Sequence, residues 1–363
     1  MPGGPQTIER LSRHELNAPA YRQLSAQRFG SDNWEAQVRY ACWLYDGNPA
    51  SRRDEPLPIF VCRSGEQLIG QVGVIPIDLR LNGARLRGGW CVDLFVLPEY
   101  QGRRVGENLV AAVQRAFPVT LTLGQTDAAY RLARRLGWCA AGALTHSRQL
   151  LRPLSGIAKK VMEKVGLTSV AGAFRAGPAA AKIPPMANIR MQPVTSLADV
   201  ADQQADLCGA GNSPTRIVRS AAFMQWRYCD HPFFRYTIRR LTIGGHGEAY
   251  AVWRVVDDRL WRRAALVDLV YPDELPQELI TQIAAHVVDC VRAEGTEILE
   301  CQTSDAAVLA ALGKYSFSRS EPGMRFLYRL DAGLPPVPAS ADVWRLYASD
   351  GDADTHMARR LGS

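Results

Sequence analysis

Residues 93–106 read DLFVLPEYQGRRVG: an aspartate in an apolar run, then a proline, two glycines and two adjacent arginines. If a strand stops at Pro98 and a helix starts near Arg104, several backbone N–H groups are left pointing one way. The helix N-terminus adds a field that favours an anion. Gln101, Gly102, Arg103, Arg104, Val105 and Gly106 would form the turn, with glycines for close approach and arginines for charge beside a diphosphate.

The surrounding pattern supplies elements to hold these groups. Residues 18–29 and 33–45 have helical spacing. PIFVCRSG (58–65) and QLIGQVGVIPIDLRLNG (67–83) read as strands, the second ending in an Asn-Gly hairpin turn that leads into RLRGGWCVDLFVL (85–97). Residues 104–117 put Val105, Leu109, Ala112, Val113 and Ala116 on one helical face. VTLTLG (119–124) is a short buried strand. TDAAYRLARRLGW (126–138) is a helix with Thr126 or Asp127 as N-cap and a stop at Gly137.

The plan recurs. WLYDGNP (43–49) is echoed by WRYCDHP (226–232), CVDLFV (91–96) by LVDLVY (266–271), and LTLGQTDAAYRLARRLG by EILECQTSDAAVLAALG (297–313). Three collinear echoes at nearly constant offset predict a duplicated domain. The expected boundaries are a first domain over 1–151, a connector over 152–190 with a basic helical stretch and an Ala/Gly/Pro-rich linker, a second domain over 191–330, and an extended tail over 331–363. The second copy has VYPDELPQELI where the glycine-rich turn would follow, with no glycine and several acidic residues. It is expected to bind no coenzyme and to shape an acceptor cleft between the domains.

The turn resembles motif A of the GNAT acyltransferase superfamily, V-x-P-x-[YF]-[RQ]-G-x-G-[IV]-G. Val96, Pro98, Tyr100, Gln101, Gly102, Val105 and Gly106 match in order, and Ala129, Leu132, Gly137 and Trp138 match a second segment of the family. The resemblance implies an α/β fold with a mixed, bent sheet in which two central strands splay around the pantetheine arm of acetyl-CoA or another acyl-CoA. It further implies that Phe95 and Val96 pair with pantetheine through their backbone, and that the 101–106 turn holds the pyrophosphate. Asp127 stands near a coenzyme-contacting asparagine of the family, although a helix N-cap is its alternative role. Asp93 falls where many relatives carry an acidic base or substrate anchor, yet Asp268 recurs in the second half, which suits a fold-supporting role equally. The family's thiolate-protonating tyrosine is replaced by Ala133, leaving Tyr130 as a substitute acid or a packing residue. Arg104 departs from the family's middle glycine. An ordinary negative φ at the helix start would accommodate it, with its guanidinium on a coenzyme phosphate.

The chain has 363 residues, 47% hydrophobic and 22% charged, with a net charge of +7. That composition is of a soluble globular protein, and the charge suits an anionic ligand. The basic pairs are scattered and no nucleic-acid motif accompanies them, so no nucleic-acid partner is expected. The eight cysteines form no C-x-x-C pair. With no secretory h-region and no membrane-length apolar run, they point to reduced thiols in the cytoplasm. His231 and His246 lack partners at metal-ligand spacing, so no metal is expected. Trp43, Tyr45, Trp226, Tyr228, Phe233 and Phe234 fit either a core or a ligand cleft. SDGDADTH (349–356) reads as a solvated acidic tail. Similar Trp-then-Asp-rich tails resemble those of bacterial tandem acyltransferases associated with polysaccharide synthesis, which would make the acceptor an amino sugar or another small metabolite amine. Two other readings stay open: a non-catalytic sensory protein, and a transferase drawing on aminoacyl-tRNA.

Overall fold

The computed structural model describes residues 5–29, 33–152, 164, 189–209, 215–257 and 261–353. The basic stretch and linker expected in the connector lie outside these residues, apart from Lys164. The chain divides into two compact units, neither contiguous in sequence. Unit 1 is Met1–Gly142, Asp230–Phe233 and Arg325–Ser340; unit 2 is Ala143–Cys229, Phe234–Met324 and Ala341–Ser363.

Unit 1 begins with β1 (Gln6–Arg10), α1 (Pro19–Phe29) and α2 (Trp34–Ala41), the last running into a π-helical turn over Cys42–Asp46. β2 (Ile59–Ser64), β3 (Gln67–Leu81) and β4 (Ala84–Val96) form an antiparallel meander. Asn82 and Gly83 both have positive φ, as a two-residue hairpin turn following the right-handed strand twist requires. α3 (Val105–Ala116) then crosses to β5 (Val119–Leu123), which runs parallel to β4, and α4 (Asp127–Arg135) follows. α3 buries Val105, Leu109, Val110, Ala112 and Val113. A side chain at Gly70 of β3 would press on Val105 Cγ1 at 3.1 Å, so the glycine lets α3 lie close to the sheet.

β6 (Cys139–Leu150) starts in unit 1, but its residues from Thr145 onward pair with β12 of unit 2. Unit 2 contains β7 (Ile189–Val194), β8 (Thr215–Ile217), α5 (Ala221–Met224) with a π-helical turn over Gln225–Cys229, β9 (Thr237–Ile243), β10 (Gly247–Asp257) and β11 (Arg262–Val270). α6 (Gln277–Ala293), β12 (Ile298–Thr303) and α7 (Ala306–Gly313) follow. β13 (Ser318–Leu330) makes the reciprocal crossing: Phe326–Leu330 pair with β5 of unit 1. β14 (Trp344–Arg345) pairs with β8.

The strand order is therefore β1-β2-β3-β4-β5-β13 in unit 1 and β7-β9-β10-β11-β12-β6 in unit 2. In each, the fourth and fifth strands form a parallel pair and the closing strand is antiparallel to the fifth. The fold is mixed α/β, as the sequence pattern implied.

Candidate active site

The parallel pair of unit 1 is short. Its register covers Gly88–Trp90 against Val119–Leu121, although β4 continues to Val96 and β5 to Leu123. Beyond Trp90 the two strands no longer pair, which leaves a gap in the hydrogen-bonded ladder. Glycines at 88 and 89 permit the close approach on the paired side, where a Cβ at Gly89 would meet Phe117 as well as Val74.

At the gap β4 carries a bulge. Gln71 pairs with Phe95 and Gly73 with Val92, so Val72 of β3 faces two residues, Asp93 and Leu94. Asp93 takes φ +62, a conformation costly for a side chain other than glycine's and found at sites where the surroundings hold it. Here the surroundings are an ion pair with Arg28 of α1 and a hydrogen bond donated by the Tyr45 hydroxyl to Oδ2 at 3.2 Å. Tyr45 comes from the π-helical turn, whose extra residue per turn re-aims a side chain at the sheet. Its phenol is held protonated far into the alkaline range, first by burial and then by the Asp93 charge. Burial also raises the neighbouring Tyr21 phenol. Tyr21, Ser25, Arg28, Gln37 and Tyr40 join Tyr45 and Asp93 around a small recess of about 20 Å³, room for about one water molecule.

The turn after β4 lies as expected between Pro98 and α3. Gly102 has φ +78, and Arg104 has φ +62, ψ 8. The expectation of a negative φ at Arg104 is thus corrected: this is a left-handed position, and the chain holds it with an arginine where glycine costs least. Arg103 lies over the Tyr100 ring at 5.5 Å, and Gln101 Nε2 donates to the Val96 carbonyl at 3.1 Å. Val105 is buried, so only its backbone faces the turn, and Gly106 follows it in the first turn of α3. Phe95 and Val96 end β4 along the gap.

Asp127 is not the N-cap of α4. Thr126 is, accepting from the Ala129 N–H at 3.3 Å, while Asp127 pairs with Arg325 at 2.7 Å. Tyr130 packs beside Leu94 with Val110, Ala133, Trp138 and Leu327, its ring under the Arg325 guanidinium at 4.9 Å. It shares no partner with Asp93 among the described contacts. Cys91, two residues before Asp93, is an inert thiol pushed up to about 12 by burial.

Unit 2 repeats this arrangement and closes it. Asp268 accepts from Arg219 Nε at 2.7 Å and from the Tyr228 hydroxyl at 2.7 Å, with Tyr228 again on a π-helical turn and the β11 bulge again adjacent. β11 and β12 pair only over Arg263–Leu266 and Ile298–Cys301. The gap beyond is filled by the chain's own residues 344–350. Thr303 Oγ1 and the Ser304 N–H donate to the Leu346 carbonyl, while Tyr347 and Ser349 hydroxyls donate to the Leu269 and Val267 carbonyls. The expected extended, solvated acidic tail is corrected accordingly. Trp344, Leu346 and Tyr347 are fully buried, Asp350 forms an ion pair with Arg219 at 2.6 Å, and Asp352 pairs with Arg227. Its carboxylates meet two arginines that are themselves buried, Arg219 and Arg227. Residues 354–356 of that stretch lie outside the described region.

Trp43, Tyr45, Trp226 and Tyr228 are buried, and Phe233 is exposed, stacked on Tyr40. Phe234 lies under the Arg254 guanidinium at 4.3 Å. His231 sits against the Trp43 ring at 4.2 Å. Among the described residues no group of three histidines, cysteines or carboxylates could hold a metal, and no helix is long and apolar enough to cross a membrane.

Residues 17–138 match the model of the Acetyltransferase (GNAT) family, a segment that runs from α1 through α4. No curated protein matches the chain. Solved structures match its fold over most of its length. A GCN5-related N-acetyltransferase from Kribbella flavida aligns over 90% of this chain and 71% of its own, with TM-score 0.58 and 14% identity. One from Anabaena variabilis aligns over 90% and 73%, with TM-score 0.57 and 13% identity. The Saccharomyces cerevisiae N-myristoyltransferase with bound myristoyl-CoA aligns over 91% and 85%, with TM-score 0.52 and 12% identity. The family match supports an N-acyltransferase, and the solved structures share the fold.

Proposed function

We propose that unit 1 transfers an acyl group from acyl-CoA, with acetyl-CoA the first donor to test, to the amine of a small acceptor bound beside Asp93. The observation that carries this reading is the gap between β4 and β5, flanked by the Asp93 bulge and leading into the 101–106 turn. Residues 344–350 of the chain itself occupy the corresponding gap of unit 2, which supports the idea that such a gap admits a pantetheine-like chain. The family match covers every element of the unit 1 site.

In this reading Arg103, Arg104 and the free N–H groups at the start of α3 receive the pyrophosphate. Asp93 takes the proton that the amine loses as its nitrogen bonds to the thioester carbon and the C–S bond breaks. Tyr45 holds the carboxylate in place. Tyr130 takes no part, because its ring is committed to packing and to Arg325. Unit 2 is an ancestral duplicate of unit 1, as the matching strand orders and the paired Arg–Asp–Tyr trios suggest, and its gap is closed to coenzyme by the chain itself. Eight free thiols suit a reducing cytoplasm.

Calorimetric titration with acetyl-CoA tests the donor site. One-to-one binding that weakens at least about tenfold in Arg103→Glu is expected. No heat at millimolar acetyl-CoA would rule the reading out.

A further inference from the structure

We propose that unit 1 carries a small-molecule site apart from the Asp93 recess: a cleft between α1 and the β2–β3 turn that takes a primary alkylamine as its ammonium ion. The site needs neither coenzyme nor Asp93, so it stands or falls independently of acyl transfer.

The cleft measures about 240 Å³, against about 20 Å³ for the recess beside Asp93. It has room for a ligand of several heavy atoms where the recess has room for one water. Helix α1 separates the two. Ala20, Gln23, Leu24 and Gln27, spaced three and four residues apart, form the face on the cleft. Tyr21, Ser25 and Arg28 form the face on the recess. Across the cleft stand Glu66, Gln67 and Leu68, with Leu97 after the end of β4. The cleft therefore lies on the β3 side of β4, whereas the gap in the ladder lies on the β5 side.

Leu24, Leu68 and Leu97 are at most 3% exposed and give the cleft a packed apolar bottom. Gln23, Gln27, Glu66 and Gln67 are exposed and give it a polar rim. Glu66 is held in place by the turn. Ser64 pairs with Gln67, so Gly65 and Glu66 make a two-residue hairpin turn, with Gly65 at φ +61. Gln67 Oε1 accepts from the Tyr100 hydroxyl at 3.3 Å, which orients its amide. Gln23, Gln27 and Glu66 have no hydrogen-bond or ion-pair partner among the described residues, so their acceptors are available to a ligand.

The charge of the lining selects the ligand. It contains one carboxylate and no cation. An anion meets Glu66 with nothing to balance it, and a neutral chain leaves the carboxylate unused. An ammonium has three N–H donors and finds three acceptors, the Glu66 carboxylate and the amide oxygens of Gln23 and Gln27. Its alkyl stem lies along the leucines, as a lysine stem lies on apolar surface.

Calorimetry on the full chain at neutral pH, without coenzyme, tests this with n-hexylamine, n-hexanol and n-hexanoate as probes. Hexylamine should bind one-to-one and about fivefold more tightly than hexanol, the reach of one exposed ion pair. Hexanoate should bind more weakly than either. Glu66→Gln should remove the advantage of the amine. Ala20→Phe, which puts a ring into the cleft, should abolish binding while thermal unfolding shows the fold intact. Asp93→Asn should leave the amine's affinity unchanged. No heat from millimolar hexylamine, or equal binding of amine and alcohol, overturns the inference. So does binding that survives Ala20→Phe, or that is lost in Asp93→Asn and kept in Glu66→Gln, which would place the amine beside Asp93 instead. Acetyl-CoA binding has no bearing on these outcomes.

Discussion

The Tyr45 hydroxyl reaches Asp93 Oδ2 through the space that a side chain at residue 73 would fill. Gly73 of β3 is the partner of Val92, next to the bulge, and a Cβ built on it overlaps the phenol oxygen. The glycine thus aims the tyrosine, and the tyrosine steadies the carboxylate.

Gly73→Ala is therefore expected to expel the hydroxyl and lower kcat about tenfold, with an overpacking cost of about 1–3 kcal/mol in thermal unfolding. Tyr45→Phe should give a similar loss of kcat without the crowding. Equal rates for wild type and Tyr45→Phe would remove Tyr45 from the site's chemistry. Because the phenol is held protonated, kcat should show no limb from Tyr45 up to alkaline unfolding.

Asp93→Asn should lower kcat at least about 100-fold, the range for loss of a positioned base, while acetyl-CoA affinity stays within about twofold. Asp268→Asn in unit 2 should leave the kinetic constants of unit 1 nearly untouched and act on stability, since its carboxylate is fully buried between Arg219 and Tyr228. A kinetic effect of Asp268→Asn as large as that of Asp93→Asn would contradict the division of labour between the two trios.

Arg104 sits at φ +62, so Arg104→Gly should stabilise the fold by about 1 kcal/mol and raise Tm by a few degrees. The same change should weaken acetyl-CoA binding several-fold through loss of a charge beside the turn. A tighter complex would show that the arginine crowds the turn instead of serving it.

Asp350 is a carboxyl whose proton affinity is raised from the usual 3.8 to about 6, chiefly by burial and against the pull of Arg219. The folded state therefore binds its proton more tightly than the unfolded chain. The resulting stability is complete below about pH 4 and declines as pH rises through 6. Thermal unfolding between pH 4 and 7 should show this negative slope for unit 2 relative to Asp350→Asn, in which the slope is absent. A positive difference would reverse the assignment.

Trp344 is fully buried in the segment that fills the β11–β12 gap. Trp344→Ala should cost about 3–5 kcal/mol, read as loss of the unit 2 transition in chemical unfolding.

Much of this was legible in the chain. The Asn-Gly turn, the period of α3 and the echoed WLYD and VDL runs led to the right elements, because each is a local signal. The turn after β4 was readable from its glycines, but the backbone of Arg104 was not, since a positive φ at a non-glycine residue is imposed by the strand and helix on either side. Arg28 escaped notice altogether: it lies at the end of an ordinary polar helix, and only the bulge at Asp93 brings it into use. The burial of residues 344–350 was likewise hidden. An acidic stretch reads as solvated unless its arginine partners, here distant in sequence, are known.

The crossing of β6 and β13 has a consequence for synthesis on the ribosome. β5 emerges early, yet the strand that closes its free edge, Phe326–Leu330, is made some two hundred residues later. Until then the nascent first unit exposes an unpaired edge, the kind of surface that invites mispairing with a neighbouring chain. β6, by contrast, is ready long before β12 and waits for its partner. Each unit waits for a late part of the chain, Arg325–Ser340 for unit 1 and the segment after it for unit 2, which gives holdase chaperones a long window in which to act.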